Sequence, residues 1–160
     1  MKSLPTQRSN CLMKNKEYTI EINAPQDRVW DIMLSKDTYA EWVKGFAENS
    51  LFVGEWTQGT HMDFIHPNHG GTRATLDIVD RPHRLQATHI ALISKDGSLD
   101  TTSEFAKTWI GTVEEYILQT ENDTTHVTIV MHFHPDYEDM LDKGWKKSLQ
   151  FLKALCETNT

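Results

Sequence analysis

The stretch PDYEDMLDKGWKKSLQFLKALC, residues 135–156, decides the fold. Tyr137, Leu141, Trp145, Leu149, Leu152 and Cys156 return at three- and four-residue spacing, so a helix through them carries one apolar stripe. Pro135 and Asp136 open it, a place where proline forfeits no hydrogen bond. Asp136, Glu138, Asp139 and Asp142 crowd its first turns, and Lys143, Lys146, Lys147 and Lys153 follow, which complements the helix dipole. A helix this long with one greasy side needs a broad partner to bury it.

The residues before it supply that partner. Runs rich in Thr, Val, Ile and aromatics at 127–134, 109–118, 85–93, 72–79, 60–66 and 51–56 read as strands. Their breaks carry Glu121-Asn122-Asp123, Lys95-Asp96-Gly97, Arg81-Pro82, the Pro67-Asn68-His69-Gly70-Gly71 cluster and Gly59. Further back, Tyr39, Trp42 and Val43 suit a short helix at 38–43. Ala24-Pro25 opens an earlier helix with Val29, Trp30 and Met33 on one face. Tyr18, Ile20 and Ile22 alternate with polar residues as a half-buried strand does. Residues 1–15 have no periodicity and read as a flexible leader, with 16–157 forming a single domain. The expectation is an α+β fold: a seven-stranded antiparallel sheet curled around the long C-terminal helix, with two short helices after the first strand. The alternative is a flat sheet over a solid core, and the two differ in whether a hollow remains.

The chain has 160 residues, 38% hydrophobic and 24% charged, a composition for one globular domain rather than a disordered or membrane chain. No apolar run approaches the roughly 18 residues of a spanning helix. With 23 acidic against 16 basic side chains the net charge is −7, which argues against nucleic acid as a partner. Cys11 and Cys156 stand in no metal-ligand spacing, so reduced thiols and a cytoplasmic location are expected.

Several of these residues also carry a resemblance. Ala24-Pro25 with Val29-Trp30, then Trp42, Trp56-Thr57-Gln58-Gly59, Val79-Asp80-Arg81-Pro82 with Leu85, and Gly144-Trp145 with Leu149 and Leu152, resemble the START-like superfamily (SRPBCC, birch-pollen-allergen-like). Within it they are most similar to bacterial proteins resembling the C-terminal domain of the heat-shock-protein-90 ATPase activator. The resemblance implies a helix-grip fold with a cavity between sheet and helix. It implies a function among lipid and hormone carriers, aromatic polyketide cyclases and chaperone activators. The activator's separate N-terminal domain, which engages the chaperone, has no room in this chain, a departure that counts against chaperone stimulation and leaves a chaperone partner as an alternative.

Alternation assigns candidates for the cavity wall. On the strand at 85–93, Leu85, Ala87, His89, Ala91 and Ile93 form the more apolar face, which turns His89 inward. On the strand at 109–118, the face of Tyr116 and Leu118 brings Glu114 in. If these two strands pair as a hairpin across a loop near Asp100 to Thr102, His89 falls opposite Glu114. Such a pair would orient a ligand hydroxyl or carbonyl, move a proton, or simply satisfy itself in the core. Met62, Phe64, Ile129, Met131 and Phe133 are further inward candidates, and Trp42, Phe46, Met140 and Trp145 would close the ends. Gly144 leaves room either for a ligand or for the sheet.

His132 and His134 near Asp136, and His66 with His69, fall short of the three or four convergent ligands zinc wants, so no metal is expected. His61 and Asp63 take the outer face of their strand. No nucleophile elbow, phosphate loop or dinucleotide fingerprint is present, and no cofactor is implied. The functional expectation is a carrier for a small apolar or amphipathic molecule. The alternatives are a cyclase, dehydratase or hydrolase using His89 and Glu114, and a chaperone-accessory or stress-response interaction module.

Overall fold

Alternating side chains lay down the strands, and their inner faces are the buried ones. The computed structural model describes residues 13–158. In it β1 (Lys14–Ile22) leads into α1 (Gln26–Leu34) and α2 (Tyr39–Val43). Then come β2 (Leu51–Val53), β3 (His61–His66), β4 (Gly70–Asp80), β5 (Arg84–Ile93) and the short β6 (Leu99–Asp100). Helix α3 (Glu104–Trp109), β7 (Val113–Glu121), β8 (Thr124–Phe133), a 3-10 turn (Pro135–Tyr137) and α4 (Glu138–Thr158) follow. The strands run antiparallel in the order β1-β8-β7-β5-β4-β3-β2, with β6 on β5, giving an eight-stranded curled sheet. The α+β helix-grip architecture is thus as expected, with β6 added to the seven strands. The first twelve residues of the expected leader lie outside the described residues, and β1 already includes Lys14 and Asn15.

The strand expected at 109–118 begins only at Val113. Ser103 caps a helix there instead, its Oγ accepting from the Ala106 amide at 3.1 Å, and Trp109 ends that helix. A left-handed Gly111 (φ 96°) then turns the chain into β7.

Burial divides the interior into two clusters. The larger gathers Leu141, Trp145, Leu149, Leu152 and Cys156 of α4 with Val29, Trp30 and Met33 of α1, and with Val127, Ile129, Met131 and Phe133 of β8. The smaller, Phe52, Met62, Ala74, Leu76 and Ala87, lies across β2 to β5. Tyr39, Trp56 and Val79 touch both. The helix therefore covers the β1-β8-β7 side of the concave face and leaves part of the other side open.

Two ties hold α4 in place. Its acidic first turns meet β1: Lys14 Nζ lies 2.8 Å from Glu138 and Lys16 Nζ 2.9 Å from Asp142, while the Tyr18 hydroxyl donates to Asp142 at 2.6 Å. The charge pattern that suggested a dipole effect is thus also a set of pairs between α4 and β1. Farther along, Gly45 and Gly144 let the segment after α2 press onto the helix. A Cβ on Gly45 would run into Ser148, and one on Gly144 into the Phe46 ring. The space beside Gly144 belongs to Phe46, not to the sheet.

Candidate functional site

Between the two clusters lies a cavity of about 230 Å³. Tyr39, Trp42 and Val43 come from α2, Phe64 from β3 and Thr72 from β4; Met140, Leu141 and Trp145 come from α4. Exposed Phe46, Leu51 and Met140 form its rim. Of the residues proposed from sequence, Trp42, Phe46, Phe64, His89, Glu114, Tyr116, Met131, Met140 and Trp145 all line it. Met62 does not: it is buried in the smaller cluster, because curvature of the sheet splits the inner face of β3 between that cluster and the cavity. Ile129 and Phe133 are core residues of the larger cluster.

The polar part of the wall is a chain of hydrogen bonds. His89 is 3% exposed, with Nε2 at 3.1 Å from Glu114 Oε1 and Nδ1 at 2.8 Å from Thr72 Oγ1. A carboxylate only accepts, so Nε2 carries the proton facing Glu114, while Nδ1 pairs with the Thr72 hydroxyl, which also lies 3.2 Å from the Ala91 carbonyl. Thr72 Oγ1 in turn accepts from Trp109 Nε1 at 3.0 Å. Every member of Trp109–Thr72–His89–Glu114 is then paired, as buried polar groups need to be.

The register differs from the one expected. Ala87, not His89, stands opposite Glu114, a slip of two positions. The β5–β7 ladder changes beyond Thr88: the His89 amide donates to the Thr112 carbonyl at 2.8 Å, and Gly111 donates back to His89 at 2.9 Å. His89 still reaches Glu114 along the diagonal, where long side chains meet across a sheet.

Sequence reasoning missed Tyr39, Thr72 and Trp109 as cavity residues. Ser103 before Glu104 was the available signal for the helix that delivers Trp109. Thr72 carried none. Burial pushes the hydroxyls of Tyr39 and Tyr116 well above the ordinary tyrosine range, and the negative charge of Glu114 adds to it. Trp145 Nε1 and Ser148 Oγ are buried without a hydrogen-bond partner among the described residues.

Other histidines do different work. His66 lines the cavity and stacks on His69 at 4.4 Å. His134 Nδ1 accepts from the Asp136 amide at 3.1 Å, while His132 is exposed. Asp63 pairs with Arg73 at 2.8 Å. Among the described residues no three His, Cys, Asp or Glu side chains converge on one point. No described helix is long and apolar enough to cross a membrane.

The family model of the Activator of Hsp90 ATPase homolog 1-like protein (AHSA1) matches residues 23–157. The chain belongs to the AHSA1 family. Solved structures share the fold of this AHSA1 chain at low sequence identity. The Aha1 dimer from Colwellia psychrerythraea is similar over 92% of this chain and 98% of its own, with TM-score 0.69 and 18% identity. Protein CV1439 from Chromobacterium violaceum is similar over 91% and 98%, with TM-score 0.68 and 17% identity. Protein MLL2253 from Mesorhizobium loti is similar over 92% and 99%, with TM-score 0.69 and 16% identity. No curated protein matches the AHSA1 chain significantly.

Proposed function

We propose that the chain binds a small, mostly apolar molecule in the cavity between the curled sheet and α4, with His89 and Glu114 as its polar contact. One observation carries this reading. A solvent-open pocket of about 230 Å³ is walled by large aromatic side chains with a few convergent polar groups, the mostly apolar concavity that small-molecule sites use. A cavity of roughly 150 Å³ holds benzene, so this one suits a molecule of about nine or ten heavy atoms. At about −0.7 kcal/mol per atom, within the range seen for small ligands, the binding energy is about −7 kcal/mol and Kd is on the order of 10 µM.

Thermal unfolding with 2-naphthol and indole tests it. At 1 mM, about a hundredfold over that Kd, a ligand confined to the folded state adds about 2.7 kcal/mol. For a domain this size that raises Tm by roughly 5–10 °C. No rise with any arene of this size, together with no small molecule retained in native mass spectrometry, refutes the reading.

A second reading rests on the 3.1 Å contact between His89 and Glu114, in which the carboxylate would orient the imidazole for proton transfer with a bound ligand. It predicts that a ligand eluted after incubation has a new mass, for dehydration or hydrolysis, or the same mass with a new retention time and NMR spectrum, for cyclisation, and that Glu114→Gln stops the change. An unchanged ligand leaves a carrier.

A further inference from the structure

We propose that the ligand of this cavity is an organic base: a protonated amine on an aromatic or alkyl body of about ten heavy atoms. The inference rests on the binding reading above and goes beyond it by fixing the ligand's charge. Seven aromatic side chains line the cavity, among them Tyr39, Trp42, Tyr116 and Trp145. Their ring faces carry negative potential and attract cations. Among the described residues Glu114 is the single carboxylate on the wall, and His66 and His89, with no lysine or arginine, are the basic side chains that share it.

The Glu114 side chain is 15% exposed. Its Oε1 meets His89, and its Oε2 has no hydrogen-bond partner among the described residues. A carboxylate facing an apolar hollow is costly until a cation or a set of donors meets it. The Tyr39 and Tyr116 hydroxyls, both within the influence of that charge, offer oxygens that an ammonium can also donate to. An ammonium beside Glu114 would gain a charge-assisted hydrogen bond, with rings around it. A carboxylate ligand would face Glu114 with no lysine or arginine to offset the repulsion. The opposing feature is the unpaired Trp145 N–H, which asks for an acceptor. That is a neutral hydrogen bond, roughly half the strength of a charge-assisted one, and it does not reverse the preference.

The experiment compares three probes of matched size on the full chain at neutral pH: 2-phenylethylamine, 2-phenylethanol and phenylacetate, read by tryptophan quenching and thermal shift. The expected result is the amine binding at least tenfold tighter than the alcohol, with phenylacetate weakest. Glu114→Gln should bring the amine-to-alcohol ratio to about one. The wild-type ratio decides the matter even if that variant fails to fold. Alcohol or phenylacetate binding as tightly as the amine overturns the charge assignment and leaves the cavity reading standing. An amine preference that survives in folded Glu114→Gln also overturns it; no binding by any of the three overturns the charge assignment alone if indole still raises Tm, and both readings if indole does not and native mass spectrometry finds no retained molecule.

Discussion

Replacing Gly144 with alanine should destabilise the protein, although the same change in an ordinary helix stabilises it. The helix itself gains about 1 kcal/mol from losing a glycine. The added Cβ would collide with the Phe46 ring, its distance to Phe46 Cγ being only 2.8 Å. The ring must swing away. It then gives up an edge-to-face contact with Trp145, centroids 5.1 Å apart, worth about 0.5–1.5 kcal/mol. Phe46 is 36% exposed, so moving it into water also forfeits most of a phenylalanine's burial, about 1–2 kcal/mol. The net cost is about 0.5–2.5 kcal/mol. In a Phe46→Ala background the collision is gone, and Gly144→Ala should stabilise by about 1 kcal/mol. Urea unfolding of the four proteins gives the coupling directly, provided the m-values agree. A Gly144→Ala effect of the same sign and size in both backgrounds would refute the assignment of that space to Phe46.

Other consequences are more local. Thr72→Val removes the acceptor for Trp109 Nε1 and the partner of His89 Nδ1, and should cost about 1–3 kcal/mol in urea unfolding; a loss below about 0.5 kcal/mol would show that the chain of bonds is not holding the wall together. Asp142 is held below the usual carboxylate range by the Tyr18 hydroxyl and then Lys16, and Glu138 by Lys14 and then Lys16. Their contribution is present above the ordinary carboxylate value of about 4 and is lost as pH falls through the lowered folded values. Lys16→Met should flatten that acid decline in the urea midpoint, and parallel declines in the two proteins would contradict the pairing. Burial pushes the Cys156 thiol up to about 12. A thiol reagent at pH 8 should therefore leave Cys156 unmodified until guanidinium unfolds the protein, and equal peptide-mapped labelling in native and unfolded protein would be inconsistent with that burial.

Features encoded by periodicity were legible in the sequence. The stripe on α4 and the inward face of β5, with His89 on it, follow from spacing alone, because burial repeats at 3.6 and 2 residues. Features set by curvature or by a local break were not. Met62 and Phe64 share the inner face of β3, but only the curl of the sheet sends one into a core and the other to the cavity. Thr108-Trp109-Ile110 looks like strand by composition, while the cap at Ser103 and the turn at Gly111 make it the end of a helix. The ladder irregularity beyond Thr88 leaves no mark in the pattern, so the pairing of His89 with Glu114 was expected from a register the strands do not adopt. Gly144 could be read only once Phe46 was placed beside it.

The adjacency of β1 and β8 has a consequence for biosynthesis. Ile22 pairs with Thr125, more than a hundred positions downstream. At translation speeds of about 5–20 residues per second, the first strand waits roughly 5–20 s for its neighbour. Only afterwards does α4 emerge to roof the trough. Until then the nascent polypeptide presents a half-built, sticky concavity to its surroundings, and the emergence of α4 is the step that ends the exposure.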